Sequence, residues 1–142
     1  MGHLDREDED AYLSDPAEVF TFRDGMRFLD AGAGTGTLCK MLSRVGRLSL
    51  TALEPAPAML AKLEAKPELR GVRAVEGFCD AIEDRVHFEQ DAFDVVLSRQ
   101  LANCFFDPLA AFSNWYCWLK PAGAVVLRRR LAGARASRRV VS

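Results

Sequence analysis

The chain has 142 residues, 49% of them hydrophobic and 27% charged, the make-up of one ordinary globular domain with a single core. No apolar run approaches the roughly 18 residues of a membrane span, and the mostly acidic residues 1–10 do not read as a secretory signal. Four scattered cysteines (Cys39, Cys79, Cys104, Cys117) without a Cys-x-x-Cys, and two histidines, His3 and His87, suit neither a metal site nor a disulfide framework and point to reduced thiols in a cytoplasmic protein.

Along the chain, residues 1–12 are acidic and read as disordered. Ser14-Asp15-Pro16 is a helix start, a capping side chain followed by proline, and that helix should end before Asp24-Gly25. Residues 1–25 thus form an acidic segment with a short helix. A buried first strand is predicted over 26–31. Over 37–45, Leu38, Met41, Leu42 and Val45 share one helical face, ended by Gly46. A second strand over 48–53 stops at Glu54. Pro55 and Pro57 then open a helix whose Met59, Leu60 and Leu63 are expected to face the sheet, closed by Lys66-Pro67. A third strand over 72–75 runs into Glu76-Gly77, a short helix over 79–85 follows, and 93–97 makes a fourth strand. Asp107-Pro108 caps the clearest helix, in which Leu109, Phe112, Tyr116 and Leu119 repeat at helical spacing. Lys120-Pro121-Ala122-Gly123 then turns into a fifth strand over 124–127.

Strands alternating with helices, the central ones apolar on both faces, imply a parallel sheet covered on two sides. The expected class is α/β, a Rossmann-like doubly wound sheet of order 3-2-1-4-5. Ligands of such sheets bind at the carboxyl ends of the strands, where the winding reverses between the first and fourth. There the sequence reads Phe28-Leu29-Asp30-Ala31-Gly32-Ala33-Gly34-Thr35-Gly36. Glycine at every second position lets a strand turn sharply into a helix and lets backbone touch a ligand. The acid before it suits an amino group better than a phosphate, and the pattern Asp-x-Gly-x-Gly-x-Gly differs from the dinucleotide fingerprint Gly-x-Gly-x-x-Gly. A structural turn is the plainer reading of the glycines alone.

The run resembles motif I of the class I S-adenosylmethionine-dependent methyltransferases, of small-molecule type. The resemblance covers about residues 26–127, the expected cofactor-binding core, and implies S-adenosyl-L-methionine as cofactor. It places Asp30, Ala31, Gly32, Gly34 and Gly36 at the methionine end. Glu54, 18 residues beyond Gly36, would take both ribose hydroxyls, with Pro55 and Met59 beside it; a helix-end acid favoured by the dipole is the alternative. Asp80-Ala81 would take the adenine amino group, although Phe78 and Cys79 lengthen the family's spacing and a helix cap is an equal reading of Asp80. Ser98 and Arg99 follow a fourth strand, Phe93-Asp94-Val95-Val96, that resembles the family's Phe-Asp-x-Val. Leu119-Lys120-Pro121-Ala122-Gly123 resembles its Leu-Lys-Pro-Gly-Gly. The Ser-Arg-Gln after the fourth strand is not the Asn/Asp-Pro-Pro-Tyr/Phe of enzymes that methylate nucleobase amines, which argues against DNA adenine methylation, and the resemblance of these motifs to those of small-molecule methyltransferases implies a small-molecule methyl acceptor. His87 is weighed as a general base and disfavoured; no catalytic residue is identified.

The net charge of −1 hides an asymmetry. Residues 128–142 hold six of the 19 basic residues and no acid, which leaves 13 basic against 20 acidic residues elsewhere, a formal −7. Such a body offers nothing to a polyanion, so nucleic acid is disfavoured as a partner, and no membrane is implied. The Arg-, Ala- and Ser-rich tail shows neither strand nor helix periodicity. It is expected to be disordered, and the family's strands six and seven are expected to be missing. An abrupt departure from an ancestral sequence, as after a frameshift, is the favoured account of the tail. A solvated terminus and a nucleic-acid-binding tail are the others. The fifth strand would then be a bare edge, inviting self-association. A non-catalytic, truncated cofactor-binding domain and an NAD(P)-dependent oxidoreductase are the rival readings.

Overall fold

A computed structural model describes residues 22–98, 107–131 and 134–141. The helix expected from Ser14-Asp15-Pro16 and the site residue Arg99 lie outside the described residues. Strands β1 (Arg27–Ala31), β2 (Ser49–Glu54), β3 (Arg73–Glu76), β4 (Phe93–Ser98) and β5 (Leu119–Leu131) run parallel. Strand β6 (Ala134–Val141) is antiparallel to β5, giving the order β3-β2-β1-β4-β5-β6. Helices α1 (Thr37–Leu42), α2 (Pro57–Glu64) and α3 (Pro108–Trp118) and two 3₁₀ turns (Pro67–Leu69 and Ile82–His87) cover it. The parallel order 3-2-1-4-5 is the one predicted.

Alternation along the strands divides the core. Leu29 and Val96 face the side that holds Trp115 and Trp118 of α3, while Phe28, Val95 and Leu97 face Leu38, Met41 and Leu42 of α1. The first face is strongly aromatic. Phe88 meets Phe93 and Trp118 edge-on, with ring centroids 5.1 and 4.9 Å apart, the geometry that aromatic quadrupoles favour. Register sets the functional end. Asp30 lies level with Leu97 of β4 and Ala52 of β2, so the glycine run leaves the sheet where the winding reverses.

Four expectations need correction. Met59 does not face the sheet: Leu60 and Leu63 are buried, and Met59, about a quarter-turn from Leu60, is 40% exposed. The helix expected over 79–85 is the 3₁₀ turn Ile82–His87. The buried face of α3 is Ala111, Asn114, Trp115 and Trp118, while Leu109 and Tyr116 are exposed. The same helix carries two overlapping apolar stripes, and the two tryptophans, with the larger area to bury, decide which turns inward. Last, the arginine-rich tail contributes a strand. β5 extends to Leu131, and β6 pairs with it from Leu131↔Ala134 to Ala124↔Val141. Satisfying the backbone groups of a sheet edge outweighs the weak strand propensity of these residues. Among the described residues no helix is long and apolar enough to cross a membrane.

Candidate functional site

The loop between β1 and α1 holds Gly32, Gly34 and Gly36 at positive φ, 75°, 59° and 90°. The surroundings of the last two differ. A Cβ on Gly34 would meet nothing within 4 Å, whereas one on Gly36 would lie 2.7 Å from Leu69 Cδ1 and 2.9 Å from Leu63 Cγ. Gly36 therefore lets the start of α1 approach the Leu63–Leu69 cluster, and Gly34 leaves bare backbone against open space. The loop is braced from behind. The N–H groups of Gly32 and Ala33 donate to the Leu53 carbonyl at 2.8 and 3.0 Å, and Lys66 Nζ donates to the Thr35 carbonyl at 2.6 Å.

Asp30 is 3% exposed, and the thiol of Cys39 on α1 donates to its Oδ2 at 3.4 Å. Burial, and after it the charge of Asp30 and this hydrogen bond, raise the Cys39 pKa well above its ordinary value. Cys39 thus stays a protonated donor.

Glu54, also buried, closes β2. Its Oε1 accepts from the Gly34 N–H at 2.7 Å and its Oε2 from the Ala56 N–H at 2.8 Å. One carboxylate thereby joins the glycine loop to the entry of α2, and each oxygen keeps a second lone pair for another donor. In front of it lies a cleft of about 240 Å³. Gly32, Glu54, Pro55 and Asp80, all singled out from the sequence, line it with Leu53, Gly77, Phe78 and Cys79. Its walls are largely apolar, and Glu54 and Asp80 are the acids among its lining residues.

Asp80 is held without regular secondary structure. The amide of the fully buried Asn114, on α3, donates to the carbonyls of Cys79 at 2.9 Å and Ala81 at 2.7 Å. Beyond it the Ala81 N–H donates to Asp84 Oδ2 at 2.9 Å. Gly77 is needed here for close approach: a Cβ would lie 2.5 Å from His87 Nε2. His87 is thus packed against backbone, 3.5 Å from Asp84 Oδ1, which is no position for a general base.

The remaining sequence-chosen residues are placed less directly. Ala31 is buried in the sheet, Gly36 packs away from the cleft, and Met59 is exposed on α2 outside its lining. Ser98 ends β4 one residue beyond Leu97, the partner of Asp30. Its hydroxyl is buried and has no hydrogen-bond partner among the described residues. Sequence reasoning missed Asn114. The available signal was a polar residue in the Ala111–Trp115–Trp118 stripe.

The family model described as a methyltransferase domain matches residues 29–127. A ubiquinone biosynthesis O-methyltransferase of Bradyrhizobium sp. (strain ORS 278) is 29% identical over 103 residues, 72% of this chain and 39% of that protein. A chloroplastic 2-methyl-6-phytyl-1,4-hydroquinone methyltransferase of Oryza sativa subsp. japonica is 28% identical over 127 residues, 89% of this chain and 34% of that protein. The chain therefore spans between a third and two fifths of the length of these curated relatives. Among solved structures, YcgJ of Bacillus subtilis superposes with a TM-score of 0.73 at 22% identity, over 87% of this chain and 52% of that one, a likeness of fold. The phosphoethanolamine N-methyltransferase 2 of Haemonchus contortus, solved with phosphomonomethylethanolamine and S-adenosylhomocysteine, gives 0.72 at 27% identity, over 84% of this chain and 28% of that one. By its sequence match the chain belongs to the methyltransferase domain family, and its sheet has the strand order of the class I S-adenosylmethionine-dependent members.

Proposed function

We propose that this chain binds S-adenosylmethionine across the carboxyl ends of β1, β2 and β3, and that its methyl group goes to a small-molecule O, N or C nucleophile by direct displacement. The observation that carries the reading is the cleft itself: it is lined by Gly32 of the glycine loop, where an added Cβ would meet open space, and by the buried acids Glu54 and Asp80. The donor set fits the group. Asp30 and the bare loop suit an ammonium-bearing end, Glu54 has acceptor capacity left for ribose hydroxyls, and Asp80 among Phe78 and Cys79 suits an amino-bearing ring with apolar faces. A phosphate would face carboxylates instead. The fully described part of the site offers no arginine or lysine among its lining residues.

When bound, the sulfonium supplies an electrophilic methyl on a leaving group that departs neutral. The protein then has mainly to hold and orient. Glu54 couples the glycine loop to α2, Lys66 fixes the loop at Thr35, and Cys39 keeps a donor on Asp30. Positioning of this kind carries most of the rate gain in such displacements. The relatives named for ubiquinone biosynthesis and for 2-methyl-6-phytyl-1,4-hydroquinone support a small-molecule acceptor here.

Thermal unfolding with added ligands tests the reading. S-adenosylhomocysteine at one hundred times its dissociation constant should stabilise the fold by about 2.7 kcal/mol, and NAD should not. A response to NAD with none to S-adenosylmethionine or its homocysteine product would overturn it in favour of an oxidoreductase.

A further inference from the structure

We infer that Asn114 is the positioning residue that aims Asp80 at the adenine amino group, so that recognition of that group is set from α3, outside the cleft lining. The inference rests on the reading of Asp80 as the adenine partner. Asn114 is fully buried in a helix face otherwise made of Ala111, Trp115 and Trp118, where a polar side chain is costly unless its hydrogen-bonding groups are matched. They are matched in one place. Both amide protons go to the carbonyls of the residues immediately before and after Asp80, and Oδ1 accepts from Arg85 Nε at 3.1 Å.

Arg85 closes the arrangement. Its guanidinium also donates to Ser113 Oγ, and its carbonyl accepts from Trp118 Nε1 at 3.0 Å. The segment carrying Asp80 is therefore clamped between α3 and the turn Ile82–His87. No strand pairing restrains residues 79–81, and this clamp acts with the Ala81–Asp84 hydrogen bonds to hold the backbone on which the Asp80 carboxylate is mounted. Leucine at 114 would fill a similar volume but take the Asn114 donor from both flanking carbonyls, leaving that of Ala81 with the Asp84 N–H at 3.0 Å. The segment would then rearrange to recover hydrogen bonds.

The test is calorimetric titration of the full chain, well below its unfolding temperature, with S-adenosylhomocysteine and with its analogue in which hydrogen replaces the adenine amino group. Wild type should prefer the amino form by about tenfold, the worth of one hydrogen bond to a charged group. Asn114→Leu should reduce that preference to near unity, weakening the amino form about tenfold more than the deamino analogue. A purely structural role would weaken both ligands alike, and that result, or an unchanged preference, overturns the inference. Asp80→Ala separates the two levels. If wild type shows no preference, or Asp80→Ala retains it, the reading of Asp80 fails and takes the inference with it. If Asp80→Ala abolishes the preference and Asn114→Leu does not, only the inference fails. Should Asn114→Leu not fold, Arg85→Met removes the partner of Oδ1 from a more exposed position; it should lower the preference severalfold, and no change there overturns the inference equally.

Discussion

Gly34 and Gly36 stand two residues apart in one loop and answer to different demands. A methyl on Gly36 would press on Leu63 and Leu69, whereas one on Gly34 would enter open space. Gly36→Ala should therefore cost about 1–3 kcal/mol of stability from overpacking added to a left-handed backbone. Gly34→Val carries left-handed strain of its own at φ 59° but meets no packed neighbour, and should bind no S-adenosylhomocysteine; urea denaturation and titration of both variants compare the two. A Gly36→Ala chain as stable as wild type would contradict the packing argument. The glycine spacing was legible in the sequence, but this division of labour was not, because it depends on leucines brought in by the fold from beyond β2. Cys39 gives a second residue-scale prediction. Its folded-state pKa is raised, chiefly by burial, so above the unfolded thiol's pKa the unfolded chain loses a proton that the native chain keeps. The native state then binds more protons, and stability must fall as pH rises. Below about pH 8 the wild type and Cys39→Ala should differ by a constant. Above about pH 8.5 the wild type should lose up to about 1.4 kcal/mol per pH unit relative to the variant. Parallel stability curves from pH 7 to 10 would show that the thiol is not sequestered.

At the scale of elements, what the sequence revealed and what it hid follow from where each signal lies. β1, β2 and β4 are short apolar runs bounded by glycine, proline or acids, and their strands could be found from neighbours alone. The orientation of α3 could not. Leu109, Phe112, Tyr116 and Leu119 make as good a stripe on paper as Ala111, Asn114, Trp115 and Trp118, and only the aromatic cluster with Phe88 and Phe93 on the same face of the sheet selects the second. Strand β6 was hidden more deeply, since its residues have little strand propensity and its stability comes from backbone pairing with β5. The spacing of Ala132-Gly133 between Leu131 and Ala134 is the one local hint. Because β6 occupies the edge of β5, the self-association expected of a bare fifth strand should emerge only when β6 is removed. A chain ending at Leu131 should shift to oligomers or aggregate in sedimentation at micromolar concentration, while the 142-residue chain sediments as a monomer. Identical behaviour of the two would mean that the pairing with β6 does not protect that edge.

Taken whole, the sheet keeps its ligand-facing features and its outer hairpin apart. The cleft is built at the ends of β1, β2 and β3, whereas β6 stands two strands beyond β4 on the opposite side of the winding reversal. A ligand seated on the Gly34 loop, Glu54 and Asp80 would further order backbone that lies outside the strands and helices, namely 32–36 and 77–81. It would make no demand on the hairpin. Hydrogen exchange should resolve this, because an outermost strand opens locally at lower cost than the core and its amides report that local opening. Adding S-adenosylhomocysteine should slow exchange at 32–36 and 77–81 markedly and at β1 and β2 through global stabilisation, and should leave the fastest amides of β6 at their free rates. Protection centred on β6, with 77–81 unchanged, would place the ligand elsewhere on the sheet and remove the basis for assigning Asp80 to its ring.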